Sequence, residues 1–206
     1  MVVTDPVLLR GRDAVEVCRR ATTGGATMIQ VRWKDGTPRE MLQLARALVE
    51  ALPIPVLVND RVDVALAAGA AGAHLGHDDP PLDALRLELP AGFLLGISVG
   101  SVAEAERVRA WPADYWSVGP CFATGNKTDA GRALGADGFA ALARLAPEGM
   151  RVIGIGGINV GNAAQIVRAG AVGVAVIGAV LGAADPEDAA RDLRTAVTDG
   201  GSVSRA

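Results

Sequence analysis

Aromatic residues are scarce in this chain. Three Phe, three Trp and one Tyr make up 3% of 206 residues, while half of all residues are hydrophobic, so Ala, Val, Leu and Ile must fill the interior. That supply suits buried parallel strands covered by helices. Cysteine is scarcer still. Cys18 and Cys121 share no CxxC spacing and fall in a predicted helix and a predicted loop, which argues against a disulfide framework or a thiolate metal cluster and leaves structural thiols. No apolar run is both long and unbroken enough to span a bilayer, and the opening MVVTDPVLLRGRD lacks the layout of a signal peptide. The expectation is a cytoplasmic protein without a membrane partner. Net charge is −3 with both signs scattered, so no basic face offers itself to nucleic acid. Missing too is a glycine fingerprint after the first strand candidate, which an open doubly wound sheet, the structural rival, would more usually carry.

What is present is an alternation of short apolar runs and helical patterns. Strands are predicted over Val2–Thr4, Met28–Trp33, Val56–Asn59, Ala73–Leu75, Phe93–Ser98, Tyr115–Val118, Val152–Ile155 and Val174–Ile177. Between the first two, Ala14, Val17, Cys18 and Ala21 recur at helical spacing, as do Met41, Leu44, Ala45, Leu48, Val49 and Leu52 in the next connection. Asp185-Pro186 opens the last helix as an N-cap followed by proline, with Ala189, Leu193, Ala196 and Val197 on one face. Eight βα units in about 200 residues predict an α/β chain folded as a single (β/α)8 TIM barrel over 1–206, with a flexible tail from about 199. AGAAGAHLG (Ala68–Gly76) and AGAVGVAVIG (Ala169–Gly178) are alike and four units apart, which supports closure, although glycines that end helices would produce much of the likeness anyway.

In such a barrel, chemistry collects where the carboxyl ends of the strands meet. Period-two alternation in QVRWK puts Gln30, Arg32 and Lys34 on one face, a polar column at the mouth unless the strand end simply reaches solvent. VLVND delivers Asn59 and Asp60, and HLGHDD delivers Asp78 and Asp79. Two carboxylates on adjacent strand ends suit magnesium, completed by water and substrate oxygens; helix capping is the alternative for each aspartate. Ser98 ends the fifth strand. The segment GPCFATGNKTDAG after the sixth offers Thr124, Asn126 and Lys127 as part of a lid or of a surface turn. GIGGI and VIGA, after strands seven and eight, stand where barrels often cradle phosphate with backbone N–H groups. His74 reads as a core residue and His77 as peripheral.

QVRWK, VNDRVDVALAAGAAGAHLGHDD, GIS, GPCFATGNKTDAG, GIGGI and VIGA occur in the order and spacing of thiamine phosphate synthases (thiamine-phosphate pyrophosphorylases), and the chain resembles that family over nearly its whole length. The resemblance implies a transferase of thiamine biosynthesis that joins 4-amino-2-methyl-5-(diphosphooxymethyl)pyrimidine to a thiazole phosphate, releasing diphosphate with the help of Mg2+. It assigns Gln30, Arg32, Lys34, Asn59, Ser98 and Lys127 to the pyrimidine diphosphate, with Arg32, Lys34, Ser98 and Lys127 as catalytic groups. Asp60 and Asp79 would hold the metal. The thiazole phosphate would lie against Thr124, Asn126, Gly157, Ile177 and Gly178. This chain departs from the common pattern at Gly178, usually serine, and Asn126, usually threonine. His77 stands for a frequent glutamine and Gly100 for a frequent histidine.

The implied chemistry is dissociative substitution, in which the bond from the pyrimidine methylene to diphosphate breaks and the thiazole nitrogen captures the cation. Arg32, Lys34, Lys127 and magnesium against two aspartates leave about three positive charges, and a diphosphate near neutral pH carries roughly three negative ones. A neutral nitrogen with a lone pair needs no general base. Three rivals remain at this stage. A thiazole tautomerase-like barrel would not need both aspartates and would carry a histidine after the strand-six glycine, where this chain has Pro120. A non-catalytic regulator that binds thiamine precursors would not need the charged set, and a sugar-phosphate isomerase would want an acid/base pair. The expected partners are these small molecules, and association with further copies of the chain is compatible with the sequence.

Overall fold

The computed structural model describes residues 1–125 and 132–202. Among the described residues, every apolar run becomes a parallel strand: β1 (Val2–Val3), β2 (Ile29–Val31), β3 (Val56–Asn59), β4 (Gly72–Leu75), β5 (Leu94–Val99), β6 (Tyr115–Val118), β7 (Arg151–Ile155) and β8 (Gly173–Ala175), paired in chain order. A parallel bridge between Val2 and Val176, with the Val3 N–H donating to the Val176 carbonyl at 2.9 Å, brings the last strand back to the first. The result is a (β/α)8 barrel.

The helices are α1 (Pro6–Leu9), α2 (Ala14–Thr23), α3 (Pro38–Ala51), α4 (Val62–Ala68), α5 (Leu82–Arg86), α6 (Val102–Val108), α7 (Gly135–Ala143), α8 (Ala163–Arg168), α9 (Gly178–Leu181) and α10 (Pro186–Ser202). Their starts follow from local chemistry. Thr37 and Glu40 form a reciprocal capping box at α3, and the Asp185 carboxylate accepts from the Glu187 and Asp188 N–H groups at α10. α1 and α9 are single turns that no periodicity announces.

α10 continues to Ser202, past the point near 199 where a tail is expected. Its glycine pair reads as a helix breaker, yet a Cβ at Gly200 would stand 3.0 Å from the Ala164 Cα. Glycine there lets α10 lie close on α8, and burial outweighs the helix propensity that glycine costs.

Alternation sorts the strand residues into two environments. Ile29, Val31, Val56, Val58, Ala73, Leu75, Leu95, Ile97, Trp116 and Val118 join helix residues such as Cys18, Ala45 and Leu48 in the apolar layer between sheet and helices. The other face points into the barrel. It carries Gln30, His74 and Ser117, all buried, and Tyr115. A polar barrel interior needs internal partners or a ligand, and Gln30, His74 and Tyr115 have internal partners.

Candidate active site

A cavity of about 1140 Å³ opens at the carboxyl ends of the strands. That is at the upper end of small-molecule sites, enough for two modest substrates together. Of the residues singled out from sequence, Arg32, Lys34, Asn59, Asp60, Asp79, Ser98, Thr124, Gly157, Ile177 and Gly178 line it. Gln30 lies buried below, its Nε2 donating to the Asn59 Oδ1 at 2.7 Å. Asn126 and Lys127 lie outside the described residues.

The polar column on β2 is shorter than alternation suggests. Strand pairing ends at Val31, Lys34 is exposed in a turn, and Trp33, expected on the opposite face, lines the same cavity. A buried hydroxyl ends the ladder here. Thr4 Oγ1 accepts from the Arg32 N–H at 2.9 Å and donates to the Arg32 carbonyl at 3.1 Å. Thr4 thereby holds the Arg32 backbone at the rim, while Asp5 stands 3.7 Å from its guanidinium.

The two aspartates are turned toward the cavity by different local devices. Asp60 sits in the left-handed region at φ 62, which aspartate tolerates better than most residues, and its N–H donates to the His74 carbonyl at 2.8 Å. Asp79 Oδ2 accepts from the Gly76 N–H at 2.7 Å, drawing the carboxylate back over the end of β4. Helix capping does not account for them. The cap positions are Arg61 for α4 and Pro81 for α5, and neither helix has a side-chain cap bond.

Charge around the cavity is unbalanced without a further cation. Asp60, Asp78, Asp79 and Glu104 face Arg32, Lys34 and Arg61 among the described lining residues. Arg61 is already engaged by both oxygens of Asp63. A diphosphate entering this set meets more carboxylates than available cations, which disfavours it. A divalent ion held by Asp60 and Asp79 would cancel that excess. The described residues hold no cluster of three or more His, Cys, Asp and Glu side chains fit to bind an ion, so an ion held by these two carboxylates would need its remaining ligands from water and substrate. Magnesium accepts that arrangement.

At the opposite side of the mouth, the loop after β6 is pinned on β7: Cys121 N–H donates to the Ile155 carbonyl at 2.8 Å and Phe122 N–H to the Gly156 carbonyl at 2.9 Å. Gly157, at φ 64, lies so close that a Cβ would meet the Ala123 carbonyl oxygen at 2.5 Å. Glycine is required there both for conformation and for contact.

Sequence reading missed several residues at the site. Glu104 reaches the cavity from α6, accepting from the Gly100 N–H at 2.8 Å. Ser117 lines the floor. His77 is more than peripheral: it lines the cavity 3.3 Å from Asp78 and 3.9 Å from Glu104. His74 is indeed buried, but it joins Tyr115, whose hydroxyl is 2.8 Å from Nδ1, to Ser98, whose Oγ is 3.0 Å from Nε2. Alternation along β4 and β6 was the signal that could have placed His74, Tyr115 and Ser117 inside the barrel. Both cysteines are free and buried, and burial pushes their thiols up, Cys18 to about 12 and Cys121 to about 11.

Comparison with known proteins shows the family. The family model described as thiamine monophosphate synthase matches residues 1–180. A thiamine-phosphate synthase of Roseiflexus castenholzii is 46% identical over 195 residues, covering 93% of this chain and 85% of the relative. That of Methanoculleus marisnigri is 47% identical over 197 residues, covering 94% and 92%. The solved thiamine phosphate pyrophosphorylase of Pyrococcus furiosus superposes with a TM-score of 0.86 at 37% identity, covering 97% of this chain and 95% of that one. The chain therefore belongs to the thiamine monophosphate synthase family.

Proposed function

We propose that the cavity forms thiamine phosphate by joining the pyrimidine diphosphate to the thiazole phosphate, with diphosphate as the leaving group. As members of this family are, the chain is a transferase. The observation that carries the site assignment is the convergence of Arg32, Lys34, Asp60 and Asp79 on one cavity from β2, β3 and β4.

Arg32 and Lys34 face the departing diphosphate. Charge on its bridging oxygen grows as the carbon–oxygen bond breaks, so fixed cations stabilise the transition state more than the ground state. Asp60 and Asp79 would hold magnesium, which when bound supplies Lewis-acid stabilisation to the same oxygens. Asn59, held by Gln30, and Ser98, held by His74, orient the pyrimidine. Lys127 adds a further cation by family resemblance. Thr124, Gly157, Ile177 and Gly178 form the wall against which the thiazole phosphate lies, with Asn126 assigned there by resemblance. Apolar lining from Val99, Ile155, Ala175 and Val176 keeps water from the carbon that becomes cationic. The thiazole nitrogen attacks with its own lone pair, so no side chain takes up a proton. We place the reaction in the cytoplasm; among the described residues no helix is long and apolar enough to cross a membrane.

The test is incubation of purified protein with both substrates, with and without magnesium. Thiamine phosphate appearing only when all three are present supports the reading. Turnover unaffected by metal removal contradicts the role of Asp60 and Asp79, and no product under any condition contradicts the activity itself.

A further inference from the structure

We infer that His74 and Tyr115 are positioning residues that fix Ser98 as a hydrogen-bond donor toward the pyrimidine substrate. The inference rests on the reading that Ser98 faces that substrate; it assigns a task to Tyr115, which the proposed chemistry leaves idle, and a direction to the His74–Ser98 bond.

The chain of bonds runs outward from the barrel interior. Tyr115 begins β6, is 7% exposed, and its hydroxyl has His74 Nδ1 at 2.8 Å as its partner. Its ring occupies the space beside Gly96, where a Cβ would lie 2.1 Å from the Tyr115 Cζ. The two rings also stack, with centroids 5.5 Å apart. Burial raises the phenol well above its ordinary pKa, so it keeps its proton. A buried O–H with one acceptor in reach among the described residues donates to it, because an unsatisfied donor costs more than the bond is worth.

That single requirement sets the rest. With Nδ1 accepting, the neutral imidazole carries its proton on Nε2. Nε2–H then donates to Ser98 Oγ at 3.0 Å. A serine oxygen that accepts from the protein is left with its own O–H to give, and Ser98 lines the cavity. The opposite tautomer would consume the serine proton on Nε2 and present only lone pairs to the substrate. A pyrimidine ring nitrogen or a diphosphate oxygen is an acceptor, so only the first arrangement suits it. Tyr115 thus selects the polarity of a group two bonds away without touching the ligand.

Two measurements test this, one of them without turnover. The chain contains two histidines, so 15N-histidine NMR of the free protein, with His77→Gln for assignment, reads the His74 tautomer directly. Protonated Nε2 with bare Nδ1 is expected. A proton on Nδ1, or on both nitrogens, overturns the inference. The second is a double-mutant cycle. Tyr115→Phe keeps the ring and is expected to lower kcat/KM for the pyrimidine diphosphate about tenfold, while in a Ser98→Ala background it changes it less than about twofold. Equal losses in both backgrounds mean that Tyr115 acts through packing alone. If Ser98→Ala leaves kcat/KM intact while the enzyme still makes thiamine phosphate, the assignment of Ser98 fails and the inference with it, but the proposed activity stands.

Discussion

The Arg32 guanidinium lies 3.7 Å from the Asp5 carboxylate, each side chain about 15% exposed, at the meeting of β1 and β2. Asp5 has two tasks there. It caps α1 by accepting from the Val7 and Leu8 N–H groups, and it sets a negative charge behind the cation proposed to face the diphosphate. Asp5→Asn retains the cap, since asparagine caps as well as aspartate, and removes the opposing charge. KM for the pyrimidine diphosphate is expected to fall severalfold at low salt, with the effect shrinking as ionic strength rises. Steady-state kinetics at two salt concentrations check it; a higher KM at both contradicts it.

Thr4→Val replaces a fully buried hydroxyl by a methyl of like shape and strands the Arg32 N–H and carbonyl. A loss of about 1–3 kcal/mol of stability is expected, because two polar groups remain without a partner. Urea unfolding with an unchanged slope measures it, and an unchanged midpoint would show that water replaces the hydroxyl.

Asp79→Asn preserves an oxygen for the Gly76 N–H while deleting the charge. Turnover is expected to drop about a hundredfold, roughly 3 kcal/mol, with little change in melting temperature. The same scale is expected for Lys127→Ala. Either variant with undiminished kcat removes that residue from the chemistry.

Gly157→Ala forces a Cβ against the Ala123 carbonyl and a residue with a side chain into φ 64. Displacement of the 122–124 segment should raise KM for the thiazole phosphate and leave KM for the pyrimidine diphosphate nearly unchanged. Equal effects on both would place Gly157 away from the thiazole side.

Cys18 and Cys121 are buried with raised pKa values of about 12 and 11, so below pH 9 neither offers appreciable thiolate. A thiol reagent at pH 8 should modify neither in the native protein and both in denaturant. Rapid native modification would mean that the loop after β6 opens at Cys121.

The eight strands were legible because buried parallel strands are short aliphatic runs set off by helical patterns, and the shortest, β1, β2 and β8, blur by a residue or two at an end. That Arg32, Asp60 and Asp79 line one cavity was legible because Arg32 and Asp60 follow such runs directly and Asp79 comes four residues after one. What escaped depends on partners remote in sequence. Nothing local in QVRWK tells that Thr4 stops the ladder at Val31, or that Gln30 spends its amide on Asn59. His74 looks like a core residue by its apolar neighbours; only the register that sets β4 beside β5 and β5 beside β6 joins it to Ser98 and Tyr115. Glu104 is one of two glutamates on α6 until its bond to the Gly100 N–H brings it back to the mouth. That α10 runs on to Ser202 is not visible in its own sequence, because the reason for Gly200, the approach to Ala164, lies on another helix.

The central claim is that Asp60 and Asp79 share one ion at the rim beside Arg32 and Lys34. Crystals grown with manganese in place of magnesium and a pyrimidine diphosphate analogue allow the ion to be located by anomalous scattering. A peak in contact with both carboxylates and with diphosphate oxygens is expected. A peak elsewhere, or diphosphate bound with no ion between it and these aspartates, contradicts the assignment.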